Sequence, residues 1–385
     1  MNETKEKRST GQAKLTPRDF SMAIALVVIW AFFASQQPAF LSSRNLSLLM
    51  IELSVTAILA LGMLLVLLPG HLDLSAGSGV GLTGGIAAVL VFNAEWPAGV
   101  AMAVAFLGGL VIWTLMGLLI TKQKIPAFII TLGGLLIFKG AHWLVIKSQT
   151  IPVVEGGSTN IYSLLTTYYV PPWAGLILAA AVSAALVASK LRARARRQRY
   201  GFEVDDNELT FLKLFLGAQV LFLGVVITNQ YQGLPLAAVI LGVVVVAVQM
   251  LCQHTTFGRY LYAIGGNEEA AIISGVPVQK IVIGAFSMMG VVVALSGLMQ
   301  TAYAGASTTT VGNLMELDAI AACVIGGTSL KGGRGTVLGV VFGSLIMVSL
   351  LNGMTLMAVS PEIKMIARGS ALALAVWLDV RLSQK

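Results

Sequence analysis

The stretch GRYLYAIGGNEEAAIISGVP, Gly258–Pro277, is a polar-punctuated run in the second half of a very apolar chain. Apolar runs long enough to cross a bilayer flank it, Leu234–Cys252 before and Ile281–Tyr303 after. Its reading decides the fold: it is a water-facing loop that joins two membrane spans. Asn267 is placed to cap a short helix, and Glu268 and Glu269 favour that helix's positive end. Gly275 suits a left-handed C-cap, and Pro277 cannot continue the turn. A helix over Asn267–Ser274 is therefore expected. These residues alone leave open whether it receives a partner or merely connects two spans.

The chain outside this loop points the same way. Of 385 residues, 57% are hydrophobic and only 11% charged, whereas soluble chains run at about 25% charged. So few charges cannot cover a soluble fold of this size. Cys252 and Cys323 stand in or beside apolar runs, with no CxxC and no clustered Cys/His set, so neither a disulfide framework nor a metal site is expected. The first apolar run is followed by no small-residue cleavage pattern and is expected to stay as an anchor.

A bilayer core takes about 20 apolar residues of helix. Candidate spans are Phe20–Ala34, Leu46–Leu68, Leu74–Phe92, Pro97–Ile120, Ile125–Ile146, Pro171–Ser189, Phe211–Thr228, Leu234–Cys252, Ile281–Tyr303, Leu317–Leu330, Thr336–Leu351 and Ile363–Leu378. Leu74–Phe92 is broken by glycines and Leu317–Leu330 is short, so either suits a half-helix entering from one side. The expected fold is an all-α polytopic bundle of ten to twelve transmembrane helices. Residues 1–19 form a cytoplasmic tail and 20–385 the membrane domain, which includes a charged cytoplasmic loop at 190–213 and the cytoplasmic loop at 253–280.

Charge counting sets the orientation. With every span crossing and the N-terminus inside, the inner segments hold 20 of the 25 Lys and Arg residues. That asymmetry places both termini in the cytoplasm. It also explains the net charge of +8 without nucleic acid, and it favours a true crossing at Leu317–Leu330, which keeps Lys331 and Arg334 inside. The basic block Lys190–Arg199 reads as a stop-transfer anchor or as a contact for anionic membrane lipid. The outer loop Ser148–Val170 and the stretch Ala304–Asn313 are available to a partner on the other side.

Several polar residues interrupt the apolar runs. Asp73 and Ser75 precede Gly77, Gly79, Gly81, Gly84 and Gly85; Asp73 is placed to cap the following helix, or to line a solute path. Lys139, His142 and Lys147 read as snorkelling or pore-lining groups. Asn313, Glu316 and Asp318 precede the short apolar run and suit capping or solute contact. Glycine-rich breaks near His71–Gly85 and Gly326–Gly335 fit transporter pseudosymmetry. No GxxxxGK[ST] run occurs, so any ATP used is bound by another subunit.

Three motifs carry a family resemblance. Asp73–Ser78 (DLSAGS) is similar to DLSVGS, Ile125–Gly133 (IPAFIITLG) to P-x-F-I-x-T-L-G, and Glu316–Ser329 with Gly332–Thr336 to ELDAIAA…GGTS…GGRGT. In that order they resemble the permease subunits of binding-protein-dependent ABC sugar importers of the ribose/xylose/galactoside type. Glu269-Ala270-Ala271 with Gly275 resembles the EAA…G motif of ABC permeases, which forms the coupling helix seated in a groove of the ATPase. The resemblance thus implies an ATPase-coupling role for Arg259, Asn267, Glu268, Glu269, Ala270, Ala271, Gly275 and Pro277. It also implies a cytosolic ATPase subunit, a periplasmic sugar-binding protein, a second permease copy in a homodimer, and a bacterial inner membrane. Two departures stand out: Gly70-His71-Leu72 replaces the usual Gly-Gly-Ile, and an insertion around Tyr168–Tyr231 adds length for a helical pair. Both resemble the xylose-carrying branch, so xylose is the expected sugar.

The expected function is therefore that of a permease subunit with no ATPase site and no cofactor of its own. The expected path residues are Asp73, Ser75, Thr131, Asn313, Glu316 and Asp318. Three rivals are weighed. An ion-coupled secondary transporter needs a mid-span carboxylate, and those are scarce. A branched-chain amino acid or autoinducer permease shares the coupling and differs in solute. A structural scaffold leaves the coupling loop unexplained.

Overall fold

At membrane depth no water can bond a peptide group, so an apolar run must satisfy its own backbone, and a helix does this within one segment. The computed structural model describes residues 17–154, 158–202, 204 and 206–383. Most of the expected tail 1–19, together with Gly156, Gly157, Glu203 and Asp205, lies outside the described residues.

Each apolar run forms a helix: α1 (Pro17–Gln36), α2 (Ser43–Leu67), α3 (Ala76–Phe92), α4 (Ala98–Gln123) and α5 (Ala127–Val145). A two-residue strand β1 (Ile151–Pro152), a short helix α6 (Ile161–Thr167) and β2 (Tyr169–Val170) follow. Next come the hairpin α7 (Pro172–Arg199) and α8 (Asn207–Asn229), then β3 (Leu234–Pro235) and α9 (Leu236–His254). The loop after α9 holds two helices, α10 (Thr256–Gly266) and α11 (Glu268–Ile273). The chain closes with α12 (Val278–Ala304), β4 (Ala306–Ser307), α13 (Met315–Ile325), α14 (Val337–Leu356) and α15 (Pro361–Ser383). Eight of these helices are long and apolar enough to span a bilayer, so the molecule is a polytopic helical membrane protein.

Two faces are distinguishable. On the basic face, α10 packs against the end of α2 and the loop after α13: Gly333 N–H donates to Leu68 O at 2.9 Å, and a side chain at Gly265 would strike both segments. On the opposite face, β1 pairs with β4 and β2 with β3.

The expected crossing at Leu317–Leu330 needs correction. α13 has 11 residues, which rise about 16 Å, against a hydrocarbon core of about 30 Å. Ahead of the helix the chain runs through the turns of segment 308–314, closed by Val311 N–H to Thr308 O and Asn313 N–H to Thr310 O. The loop that carries Lys331 and Arg334 lies beside Leu68 at the end of α2, through Gly333 N–H to Leu68 O. The same design occurs at α3, whose start follows the non-helical segment 69–75. The starts of α3 and α13 meet in the interior: a side chain on either Gly77 or Gly312 would strike the other's backbone.

These two broken elements belong to one plan used twice. α12 packs on α3 and α4, as α2 packs on α13 and α14; α3 packs on α4 and α5, as α13 packs on α14 and α15. Because α2 ends on the basic face and α12 begins there, α2–α5 and α12–α15 run in inverted directions. The counterpart of the break before α3 is therefore 305–314, in place of the expected Gly326–Gly335.

Lipid is as apolar as the helices, so close packing of small residues has to hold them together. Gly109 on α4 and Gly290 on α12 bring the two backbones into contact, as Gly326 and Gly339 do for α13 and α14. The α7–α8 hairpin lies outside this core, its helices packed on each other and on α2 through α8. Adjacent glycines give a controlled test. A side chain at Gly109 would meet Gly290 O at 2.6 Å, whereas Gly108 faces open space. Gly109→Leu is expected to lower the melting temperature in detergent sharply, by about 1–3 kcal/mol of overpacking, while Gly108→Leu leaves it unchanged.

Candidate functional site

The break before α3 is held by its own polar groups. Asp73 is fully buried; its Oδ1 accepts from Ser75 N–H at 2.8 Å and Ser75 Oγ at 2.6 Å, and its Oδ2 from Trp113 Nε1 at 2.6 Å. Thr131 Oγ1 donates to Leu72 O at 3.3 Å. These bonds satisfy groups that would otherwise be orphaned at depth. Ser75 occupies the N-cap of α3 but its side chain accepts from none of that helix's N–H groups, so Asp73 braces the turn against α4 in place of capping the helix. Asp73, Ser75 and Thr131 thus come together as a brace.

The break before α13 is different, because its polar residues border open space. A cavity of about 380 Å3 opens among α2, α12, α13, α14, α15 and the segment 308–313, with Asn313 and Asp318 on its wall. Asp318 is 5% exposed, and its Oδ1 lies 3.1 Å from Arg368 Nε. Also on the wall, Glu52 Oε1 accepts from Tyr303 Oη at 2.8 Å and Glu52 Oε2 from Asn352 Nδ2 at 3.3 Å. Glu316 lies apart from Asp318, on a smaller cavity of about 140 Å3 that it shares with Asn313, Lys139 and His142. His142 is buried, with Nε2 3.0 Å from Ser307 Oγ, and Lys139 sits over the Trp143 ring.

A third cavity, of about 960 Å3, opens on the basic face between His71, the α4–α5 turn, α11 and the start of α12. It is the counterpart of the 380 Å3 cavity under the inverted plan: each lies beside a break, the end of α4 or α14, and the start of α5 or α15. The two vestibules approach the meeting point of α3 and α13 from opposite faces.

α11 forms one wall of the basic-face vestibule through Glu268 and Ile272. The local chemistry that the sequence signals is all present. Asn267 Oδ1 accepts from Ala270 N–H at 2.9 Å. Gly275 has φ +80°, and Val276 N–H reaches back to Ala271 O at 3.0 Å, the paired closure of a Schellman end. Ala271 is the buried residue of the helix; Glu268, Glu269 and Ala270 are exposed, and Ile273 is 86% exposed. Arg259 and Pro277 are exposed on the flanking segments. Two adjacent isoleucines, Ile272 and Ile273, thus stand open on a polar face, which is the mark of a docking surface. α10 went unread in the sequence, although Thr255 caps it by accepting from Gly258 N–H at 3.1 Å. Glu52, Tyr303, Asn352 and Arg368 also went unread as site residues; the signal was an ionisable Glu52 inside an apolar run. Among the described residues no group of three His, Cys, Asp or Glu side chains could hold a metal ion.

The comparisons with known proteins follow from this geometry. The family model described as "Branched-chain amino acid transport system / permease component" matches residues 45–376. The chain is 37% identical over 371 residues to the xylose transport system permease protein of Escherichia coli K12, covering 96% of this chain and 93% of that protein. It is 38% identical over 367 residues to the xylose permease protein of Haemophilus influenzae, covering 95% and 97%. The ribose import permease protein of E. coli K12 is 33% identical over 356 residues, covering 92% of each. No solved structure matches it.

The Asp73 brace yields a stability test. Trp113→Phe keeps an aromatic ring, with some loss of volume, and strips one donor from a fully buried carboxyl. Leaving such a group unsatisfied costs about 1–3 kcal/mol, read as a lower melting temperature in detergent. Thr114→Val, one residue on and half-buried, is the control expected to cost less.

Proposed function

The chain belongs to the family of branched-chain amino acid transport system permease components, and from that premise we propose that it is the membrane subunit of an ATP-driven sugar importer carrying xylose. End-to-end similarity to xylose permeases supports the sugar over the amino acid in the family's description, since the ribose relative is more distant and no amino-acid permease need be invoked. The basic face is the cytoplasmic face, by the excess of Lys and Arg there, and both termini lie on it in a bacterial inner membrane. The chain has no phosphate-cradling loop, so a separate ATPase subunit hydrolyses the nucleotide.

α11 is the coupling helix on this reading. The observation that supports it is a short helix, capped at both ends and anchored by buried Ala271, that leaves Ile273 86% exposed while Glu268 and Ile272 line the vestibule. A groove on the ATPase can grip the outer side, and its movement reaches the cavity wall directly. The opposite face, with its β1–β4 and β2–β3 ladders, receives the periplasmic binding protein. Two copies of the chain form a homodimer, one coupling helix to each ATPase. The charged block Lys190–Arg199, at the cytoplasmic end of α7, meets anionic lipid head groups. An ion-coupled mechanism has less to stand on, because Asp73 is consumed by structural bonds and Asp318 is paired with Arg368.

Reconstituted importer in proteoliposomes tests this. Wild type takes up xylose only with ATP inside and the binding protein outside, and uptake that follows a proton gradient instead refutes the assignment. Glu269→Lys is expected to abolish coupled uptake at normal expression. Gly275→Ala, which forces a side chain into φ +80°, costs about 1 kcal/mol locally and lowers binding-protein-stimulated ATP hydrolysis with little change in melting temperature.

A further inference from the structure

The outer vestibule contains more chemistry than a passage requires. Glu52, Tyr303, Asp318, Asn352 and Arg368 come from five different helices, α2, α12, α13, α14 and α15, and all border the same cavity. Their orientation is fixed from behind. Asn45 Nδ2 donates to Asn352 Oδ1 at 3.0 Å, which turns the Asn352 amide so that its NH2 faces Glu52. Five helices do not converge five polar groups at membrane depth for packing, since apolar side chains would hold the helices at lower cost.

Two of the three charged groups on the wall are paired. Asp318 stands against Arg368, and Lys364 donates its Nζ to the wall residue Thr355 at 3.0 Å. A solute therefore meets an Asp318–Arg368 pair whose charges cancel and a Glu52 carboxyl that already accepts from Tyr303 and Asn352, a wall without net positive charge that disfavours anions. Hydrogen-bonding capacity remains open, however. The Arg368 Nε to Asp318 Oδ1 contact at 3.1 Å is an ion pair with poor hydrogen-bond alignment, and both atoms are buried with no hydrogen-bond partner. A carboxylate beside a guanidinium offers adjacent acceptors and donors, the arrangement that vicinal hydroxyls complement. At about 380 Å3 the cavity falls in the ~300–1,000 Å3 range of small-molecule sites.

We infer that this cavity is a sugar-binding site within the permease itself, where Glu52, Asp318, Asn352 and Arg368 bind the hydroxyl groups of a neutral monosaccharide as it leaves the binding protein. The inference rests on the sugar-import reading and adds a second point of selection to it. Without such a site the permease would be a passive gate, and the choice of solute would lie wholly outside this chain.

The test uses the assembled importer in proteoliposomes, with radiolabelled D-xylose and saturating binding protein. Failure of the wild type to take up xylose sinks the sugar-import reading; the variants then address the site alone. Glu52→Gln keeps the size of the side chain and is expected to cut xylose uptake tenfold or more, while binding-protein-stimulated ATP hydrolysis stays within twofold. Asn352→Ser, which shortens the amide, is expected to do the same. A second measurement removes the binding protein: millimolar D-xylose should protect a cysteine placed at Thr56, on the cavity wall, from a membrane-impermeant thiol reagent, and leucine should not. Uptake retained within twofold in both variants overturns the inference. So does a parallel loss of uptake and stimulated ATP hydrolysis, which assigns these residues to packing. Protection by leucine equal to that by xylose overturns the sugar as occupant.

Discussion

The structure depends on satisfying broken backbone inside a membrane. Segments 69–75 and 308–314 are not helical, yet they lie between helix ends buried in the bundle. Every peptide group there needs a partner from the protein, because lipid supplies none. The partners are specific: Leu68 O takes Gly333 N–H, Leu72 O takes the Thr131 hydroxyl, and Thr309 O takes Trp143 Nε1. α5 supplies the last two bonds, so one helix supports both breaks. The glycines serve the same requirement. Gly77 and Gly81 let the 311–316 segment lie directly on α3, and a β-carbon at either position would meet its backbone.

From that constraint follows the division of the molecule. Two helical units of opposite direction leave one break opening toward each face, and a vestibule forms beside each. What separates the vestibules is a thin contact of glycines, Gly77 and Gly81 against Gly312. The contact is small, bordered by the Glu316 carboxyl and the His142 ring. It can slide between discrete arrangements as the flanking helices rock, which is how packed elements switch access.

Much of this was legible as pattern. Apolar length and basic residues located the helices and the charged face, because both signals come from transfer free energy and survive without a fold. The cap chemistry of Asn267 and Gly275 was equally local and placed α11 within a residue. What stayed hidden was tertiary. Whether Leu317–Leu330 crosses depends on segment 308–314, a chain of turns that lies against α3 through Val311 and Gly312. The counterpart of the first break was misplaced at Gly326–Gly335, because a glycine cluster there looks like a break while the glycines in fact serve the α13–α14 contact and a turn. Asp73 and Asp318 read alike in the sequence. Only packing shows that one is bonded out by Trp113 and Ser75 and the other faces a cavity.

The placement of α11 limits how force can reach the transport path. Its outer side presents Ile272 and Ile273, and its inner side, through Glu268 and Ile272, is already a wall of the basic-face vestibule. Ile272 belongs to both. A partner that draws this helix outward therefore changes the vestibule without any relay through the bundle. The movement then passes to α12, which begins five residues after α11 at Val278 and runs buried to the far side, where Tyr303 holds Glu52. α12, 27 residues long, thus joins the wall of the basic-face vestibule to the Tyr303–Glu52 bond of the outer cavity through a single covalent element.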